Sequence, residues 1–182
     1  EMCIRDRFKR VLKPTGNIVL FCGFYCKWKW FALLSKVGLK FQQELIWIYE
    51  NPGMIRWKIK HFTPAHDNIL WFSKTESYYF NNEGTSDLTW FKHKVYCGVL
   101  RGKENLPKDI TITPKPLKIS DILVKRLCPK GGIILDPFMG TGTFGISAQR
   151  YGCNYIGFEI KPEIFEIAKK RLRNLTSFGG KR

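Results

Sequence analysis

The sequence predicts an α/β protein with a mainly parallel sheet, and three observations predict it. Short apolar runs alternate with segments of helical periodicity along most of the chain. A glycine-rich stretch, "DPFMGTGTFG" (136–145), joins one such run to a helical segment. A further short run, "NYIGFEI" (154–160), follows that helix, which completes a strand–helix–strand pattern.

The elements follow in order. Phe8, Val11 and Leu12 recur at helical spacing, and "LKPTG" (12–16) stops that helix with Pro14 and Gly16. "NIVLFC" (17–22) is a continuous apolar run and reads as a buried strand. In "KWKWFALLSKVG" (27–38), Trp30, Leu33, Leu34 and Val37 recur at i, i+3, i+4 and i+7, an amphipathic helix closed by Gly38. "FQQELIWIYE" (41–50) and "DNILWFSK" (67–74) read as two more strands, separated by a stretch that opens on the turn signal "NPG". Residues 75–112 have weak periodicity and a basic-aromatic centre, the pattern of an insert that recognises a partner. Residues 116–132 are helical, with Ile119, Ile122, Leu123 and Leu127 on one face and Gly131-Gly132 as the stop. A strand at 133–136, a helix at 143–151, a strand at 154–160 and a helix at 162–174 complete the chain, with Pro162 in the last helix's first turn.

Composition narrows the function classes. The 182 residues suit one domain spanning 1–182. Lys and Arg number 31 against 15 Asp and Glu, a net charge of +16 that points to a polyanionic partner. With 15% aromatic residues available for base stacking, nucleic acid is that partner's expected class. The six cysteines form no CxxC pair and the three histidines are not spaced as partners, so neither a zinc site nor a disulfide framework is expected. That usage fits a reducing cytoplasm. No apolar run reaches the roughly 18 residues that span a membrane.

The glycine loop carries the chemistry. Gly140, Gly142 and Gly145 form a GxGxxG at a strand-to-helix turn, where free backbone N–H groups and the helix dipole converge on a ligand. Such a loop commonly holds the pyrophosphate of a dinucleotide. Asp136 opens this one, however, and a carboxylate there repels pyrophosphate and favours an ammonium group, such as the amino end of S-adenosylmethionine. Glu159, at the end of the next strand, can accept hydrogen bonds from ribose hydroxyls. Ribose is common to both cofactors, so Glu159 supports a nucleoside without choosing between them. One further strand and its helices follow the loop, so the rest of the sheet comes from upstream.

The stretch "TPKPLKISDILVKRL…GGIILDPFMGTGTFGISAQRYGCNYIGFEIKPEIFEIAKKRL" resembles the cofactor half of the amino-group DNA methyltransferases, in the circularly permuted arrangement where the cofactor loop comes late. "RVLKPTGNIVLFCG" and "ELIWIYENPGMIRWKIKHFTPAHDNILWFSK" are similar to that family's middle strands and its basic connecting segment. The resemblance implies a Rossmann-like methyltransferase fold, with a target-side half at 8–74, a recognition insert at 75–112 and a cofactor half at 113–182. It implies methyl transfer from S-adenosylmethionine to adenine N6 or cytosine N4 of double-stranded DNA. Asp136, Pro137, Phe138, Gly140, Gly142 and Thr143 would hold the methionine part and Glu159 the ribose, with Thr113 and Lys115 as outlying members. It also implies a cytoplasmic protein of a prokaryote or phage, with a homodimer as one assembly.

The family's catalytic tetrad, of the Asp/Ser/Asn-Pro-Pro-Tyr type, does not occur in these residues; "NPGM" lacks the second proline and "DPFM" belongs to the cofactor loop. Its expected place is upstream of Glu1, so an N-terminally shortened enzyme without its first strands is expected. The opening supports that, because helical periodicity (Phe8, Val11, Leu12) is already running within a few residues, and "EMCIRDR" resembles a spurious tail left by conceptual translation. For DNA contact, "MIRWKIKHF" (54–62) alternates apolar and basic residues and offers Arg56, Trp57, Lys58 and Lys60, while the insert offers Lys92, Lys94 and Arg101. The cluster "KKRLR" (169–173) reads as the solvated face of the last helix.

Overall fold

The computed structural model describes residues 4–51, 62, 64–84, 87–95 and 113–178, with backbone alone at 4–6 and 175–178. The chain divides into two compact units, Glu1–Lys94 and Val95–Arg182.

The first unit contains α1 (Ile4–Val11), β1 (Asn17–Cys22), α2 (Lys27–Lys36), β2 (Lys40–Tyr49), β3 (His66–Ser73) and β4 (Trp90–His93). Its strands form one sheet in the order β1-β3-β2-β4. β1 and β2 both run antiparallel to β3, in registers that set Leu20 and Glu44 opposite Leu70, so the two are parallel to one another. They are joined through α2 as a crossover, and β3 is inserted between them. β4 pairs in parallel with β2. The expected parallel direction therefore holds for the strands joined by a helix and for β4, and is corrected for β3. Alternating apolar runs show which segments are strands but carry no sign of direction.

β3 is covered on both faces, which explains its continuous apolar run. On one side Leu70 and Phe72 pack with Cys22, Leu34 and Leu39, and Trp30, Phe31 and Val37 of the α2 region close over them. On the other side Trp71 stacks on Phe80 at 5.5 Å, and its indole N–H donates to Asn17 Oδ1 at 2.9 Å. Asn17 Nδ2 in turn donates to the Tyr79 carbonyl at 2.7 Å. The first residues of the expected insert thus cover the sheet. Burial, and then the nearby Asp67 charge, push the Cys22 thiol up to about 11, so it packs as an inert apolar group.

The second unit contains α3 (Leu117–Leu127), β5 (Ile133–Asp136), α4 (Thr143–Arg150), β6 (Asn154–Gly157) and α5 (Pro162–Phe178). β5 and β6 pair in parallel across α4, as the strand–helix–strand pattern requires. Val124, Ala148 and Cys153 are buried there, with Ile134, Phe144 and Tyr155 packed against them. The strands' other face carries Ile133, Leu135 and Ile156, each exposed.

Between α3 and α4 lies a polar chain. Ser120 Oγ and Ser147 Oγ are 2.7 Å apart, Ser147 Oγ donates to Asp121 Oδ1 at 2.6 Å, and Arg150 Nη1 donates to Asp121 Oδ2 at 2.8 Å. Ser120 Oγ also donates to the Leu117 carbonyl at 2.9 Å, so both buried hydroxyls have hydrogen-bond partners.

Candidate cofactor site

β5 ends at Asp136 and the chain turns through 137–142 before α4 begins. Gly140 (φ 51°) and Gly142 (φ 76°) both adopt the left-handed backbone, which costs an L side chain roughly 1–2 kcal/mol. Gly142 is the residue before the first turn of α4, and a Cβ there would also lie 3.2 Å from Ala168 Cβ of α5. Gly145 serves differently. Its backbone is helical, but a Cβ would sit 2.7 Å from the Tyr155 ring and 2.9 Å from Leu172. The first two glycines bend the loop, and the third lets α4 lie close to β6 and α5.

Two carboxylates frame the loop. Asp136 Oδ1 accepts the Phe138 N–H at 3.1 Å and Oδ2 accepts the Tyr155 hydroxyl at 3.3 Å. Burial raises the Asp136 carboxyl above the ordinary carboxylate range, and the Glu159 charge adds to that, while its two hydrogen bonds act in the opposite sense. Glu159 Oε2 accepts the Gly140 N–H at 3.1 Å and Oε1 accepts the Lys161 N–H at 3.0 Å. Each Glu159 oxygen keeps a second lone pair, so the carboxylate is fixed in place and still able to accept.

β6 stops at Gly157, short of the expected 154–160. Phe158 N–H donates to the Asp136 carbonyl at 2.9 Å, and the Phe158 carbonyl accepts the Met139 N–H at 3.0 Å. The chain there follows the loop instead of continuing a ladder, and this delivers Glu159 to Gly140.

Asp136, Pro137, Phe138, Gly140, Gly142, Thr143 and Glu159 are therefore brought together. Phe138 leaves 70% of its surface exposed beside the loop. Thr143 is buried, and its hydroxyl lies 3.5 Å from Arg171 Nη1. Thr113 is exposed and Lys115 half-buried on the segment leading into α3, and Pro116, which caps that helix, is buried. Lys92 and Lys94 are exposed at β4 and just beyond it. Arg56, Trp57, Lys58, Lys60 and Arg101 lie outside the described residues. The reading of 169–173 as a solvated face is corrected at Arg171, which is buried. Ile164, Ala168 and Arg171 form one buried stripe at i, i+4 and i+7, the signal that could have revealed it. Among the described residues no cluster suits a metal ion, and no helix is long and apolar enough to cross a membrane.

A parallel strand–helix–strand unit with left-handed glycines in its first turn and a carboxylate at each strand end defines a nucleoside-binding domain of the Rossmann-like kind. The chain belongs to the N6/N4 methylase family, described as DNA methylase, whose model matches residues 4–170. It is 30% identical over 169 residues to the type II methyltransferase M2.DpnII of Streptococcus pneumoniae, covering 90% of this chain and 63% of that protein. It is 31% identical over 184 residues to the type II methyltransferase M.HpaI of Haemophilus parainfluenzae, covering 90% and 55%. The crystal structure of the M1.HpyAVI–SAM complex superposes with a TM-score of 0.76 at 25% identity, covering 93% of this chain and 80% of that one. The cytosine-N4-specific PvuII DNA methyltransferase, at 20% identity and a TM-score of 0.77, shares the fold over 96% of this chain and 72% of its own. The fold is thus the Rossmann-like fold of the S-adenosylmethionine-dependent DNA methyltransferases. The chain spans less than two thirds of the length of either type II relative.

Proposed function

We propose that the whole protein transfers a methyl group from S-adenosylmethionine to adenine N6 or cytosine N4 of double-stranded DNA, and that this chain supplies its cofactor site. The Glu159–Gly140 hydrogen bond carries the reading, because it fixes a carboxylate with free lone pairs beside a left-handed glycine turn. Glu159 would accept the ribose hydroxyls. Asp136, half-buried, would draw the cofactor's ammonium when ionised, and the turn through Gly140 and Gly142 would hold its methionine part. S-adenosylmethionine supplies, when bound, an activated methyl group for direct displacement by an amino nitrogen. The chain's own residues bind and orient it.

DNA would meet the basic surface, with Lys92 and Lys94 as phosphate contacts together with Arg56, Trp57, Lys58, Lys60 and Arg101. The exposed aromatics Phe24, Tyr25 and Trp28, just beyond the end of β1 and interleaved with Lys27 and Lys29, support stacking on bases. Such an enzyme works in the cytoplasm of a prokaryote or phage host, where its DNA lies.

Isothermal titration of the chain with S-adenosylmethionine and with NAD tests the cofactor assignment. Binding of the first alone is expected, and preference for NAD overturns it. Sedimentation of the same sample measures whether the chain forms the expected homodimer.

A further inference from the structure

We infer that Arg171 is the positioning residue of the cofactor loop. It holds the Thr141–Gly142 peptide from behind, so that the loop is shaped before any ligand arrives. The inference rests on the cofactor reading above only for its consequence in binding.

Arg171 leaves 7% of its surface exposed on α5, and a guanidinium loses most of its hydration there. Its Nη1 donates to the Thr141 carbonyl at 2.7 Å and to Thr141 Oγ1 at 2.9 Å, and lies 3.5 Å from Thr143 Oγ1. These partners are Thr141, at the end of the loop, and Thr143, the first residue of α4, one on each side of Gly142.

The location explains why such a tie is needed. Thr141 stands between Gly140 and Gly142, both left-handed, and the Thr141–Gly142 peptide ends on a glycine whose φ is free to change sign. If that peptide turned over, the Thr141 carbonyl would swing away from α5. The Gly142 N–H would then leave the Met139 carbonyl, which it meets at 2.8 Å. The turn that carries Gly140 would be lost with it, while Glu159 would keep its bond from the Lys161 N–H. A single nitrogen, Nη1, serves both the carbonyl and the hydroxyl of Thr141 with its N–H bonds held in the guanidinium plane, whereas a lysine ammonium is a point charge that rotates on its stem.

α5 makes room for this grip. Ala168, fully buried, lies so close to Gly142 that a Cβ there would come within 3.2 Å of it, and Arg171 follows almost one turn later on the same stripe. A solvated cation on the last helix would have no reason to occupy that stripe. The carboxylate side of the loop is thus governed by Glu159 and the opposite side by Arg171.

The test uses the whole chain with Arg171→Lys and Arg171→Met. Amide hydrogen exchange at residues 140–143 is measured without ligand, against residues of α3 as reference. Both variants are expected to exchange the loop amides about tenfold faster with α3 unchanged, on the scale of losing hydrogen bonds to a charged group. S-adenosylmethionine, whose methionine part the loop holds, should bind about tenfold more weakly. Adenosine, which has no methionine part, should keep its affinity within about twofold. A general loss of folding would weaken both ligands alike and raise exchange everywhere. Unchanged loop exchange in Arg171→Lys, or equal losses for the two ligands, overturns the inference. A wild-type chain that binds neither ligand refutes the cofactor reading, while the exchange measurement still decides the role of Arg171.

Discussion

Glu159 accepts the backbone N–H of Gly140 at 3.1 Å, which ties the end of one strand to the turn that follows the other. Its second oxygen accepts the Lys161 N–H, so the carboxylate has both of its orientations fixed by backbone donors. Glu159→Gln keeps the shape and loses one of the two acceptors, leaving an amide N–H facing a backbone N–H. Calorimetry should find S-adenosylmethionine affinity lower by about 1–3 kcal/mol, and Glu159→Ala should lose at least as much.

Asp136 combines the charge proposed for the cofactor's ammonium with a cost to the fold. Its carboxyl is raised by burial, so the folded state holds the proton more tightly than the unfolded chain does. Such a group favours folding below its unfolded pKa, and that contribution is lost as pH rises through the folded value. Above that folded value the ionised Asp136 therefore opposes folding. Asp136→Asn retains an acceptor for Phe138 and is expected to melt at a higher temperature while binding S-adenosylmethionine more weakly. In the wild-type chain, affinity should fall as pH drops through the raised value, because the ammonium loses its counter-charge.

Gly145→Ala tests packing without backbone strain. The added methyl meets the Tyr155 ring and Leu172 well inside contact distance, and overpacking of this kind costs about 1–3 kcal/mol. Denaturant unfolding should show that loss with an unchanged slope.

Ser147→Ala interrupts the chain from Ser120 to Asp121. Ser120 keeps the Leu117 carbonyl as acceptor, while Asp121 loses a donor, and unfolding should show a loss of about 1 kcal/mol. Because the Asp121–Arg150 pair is partly exposed, Arg150→Ala should cost less, about 0.5 kcal/mol.

If Lys92 and Lys94 meet phosphates, replacing both with Ala should weaken DNA binding across all sequences. The slope of log affinity against log salt should also fall by about two. A constant slope removes them from the interface.

Much of this was legible in the residues. The run "NIVLFC", the Trp30–Val37 stripe and the strand–loop–helix around 136–145 each state their element through periodicity or glycine placement, and Glu159 follows from its position after β6. Three things were not legible. The direction of β3 depends on which strands it separates, a relation that no local pattern encodes. Tyr78 and Phe80 read as part of an insert because the ring they cover, Trp71, adjoins them only in three dimensions. Arg171 read as surface because a basic cluster hides one buried member. Only its phase against Ile164 and Ala168 separates it from its neighbours.

The bare face of Ile133, Leu135 and Ile156 has a practical consequence for anyone handling the chain. Three aliphatic side chains on a parallel ribbon offer water nothing to bind and offer a neighbouring molecule an adhesive strip. Expressed on its own, the chain should draw chaperones and accumulate in inclusion bodies. A single Glu or Lys at position 133 or 156 would be the first change to try for keeping it in solution.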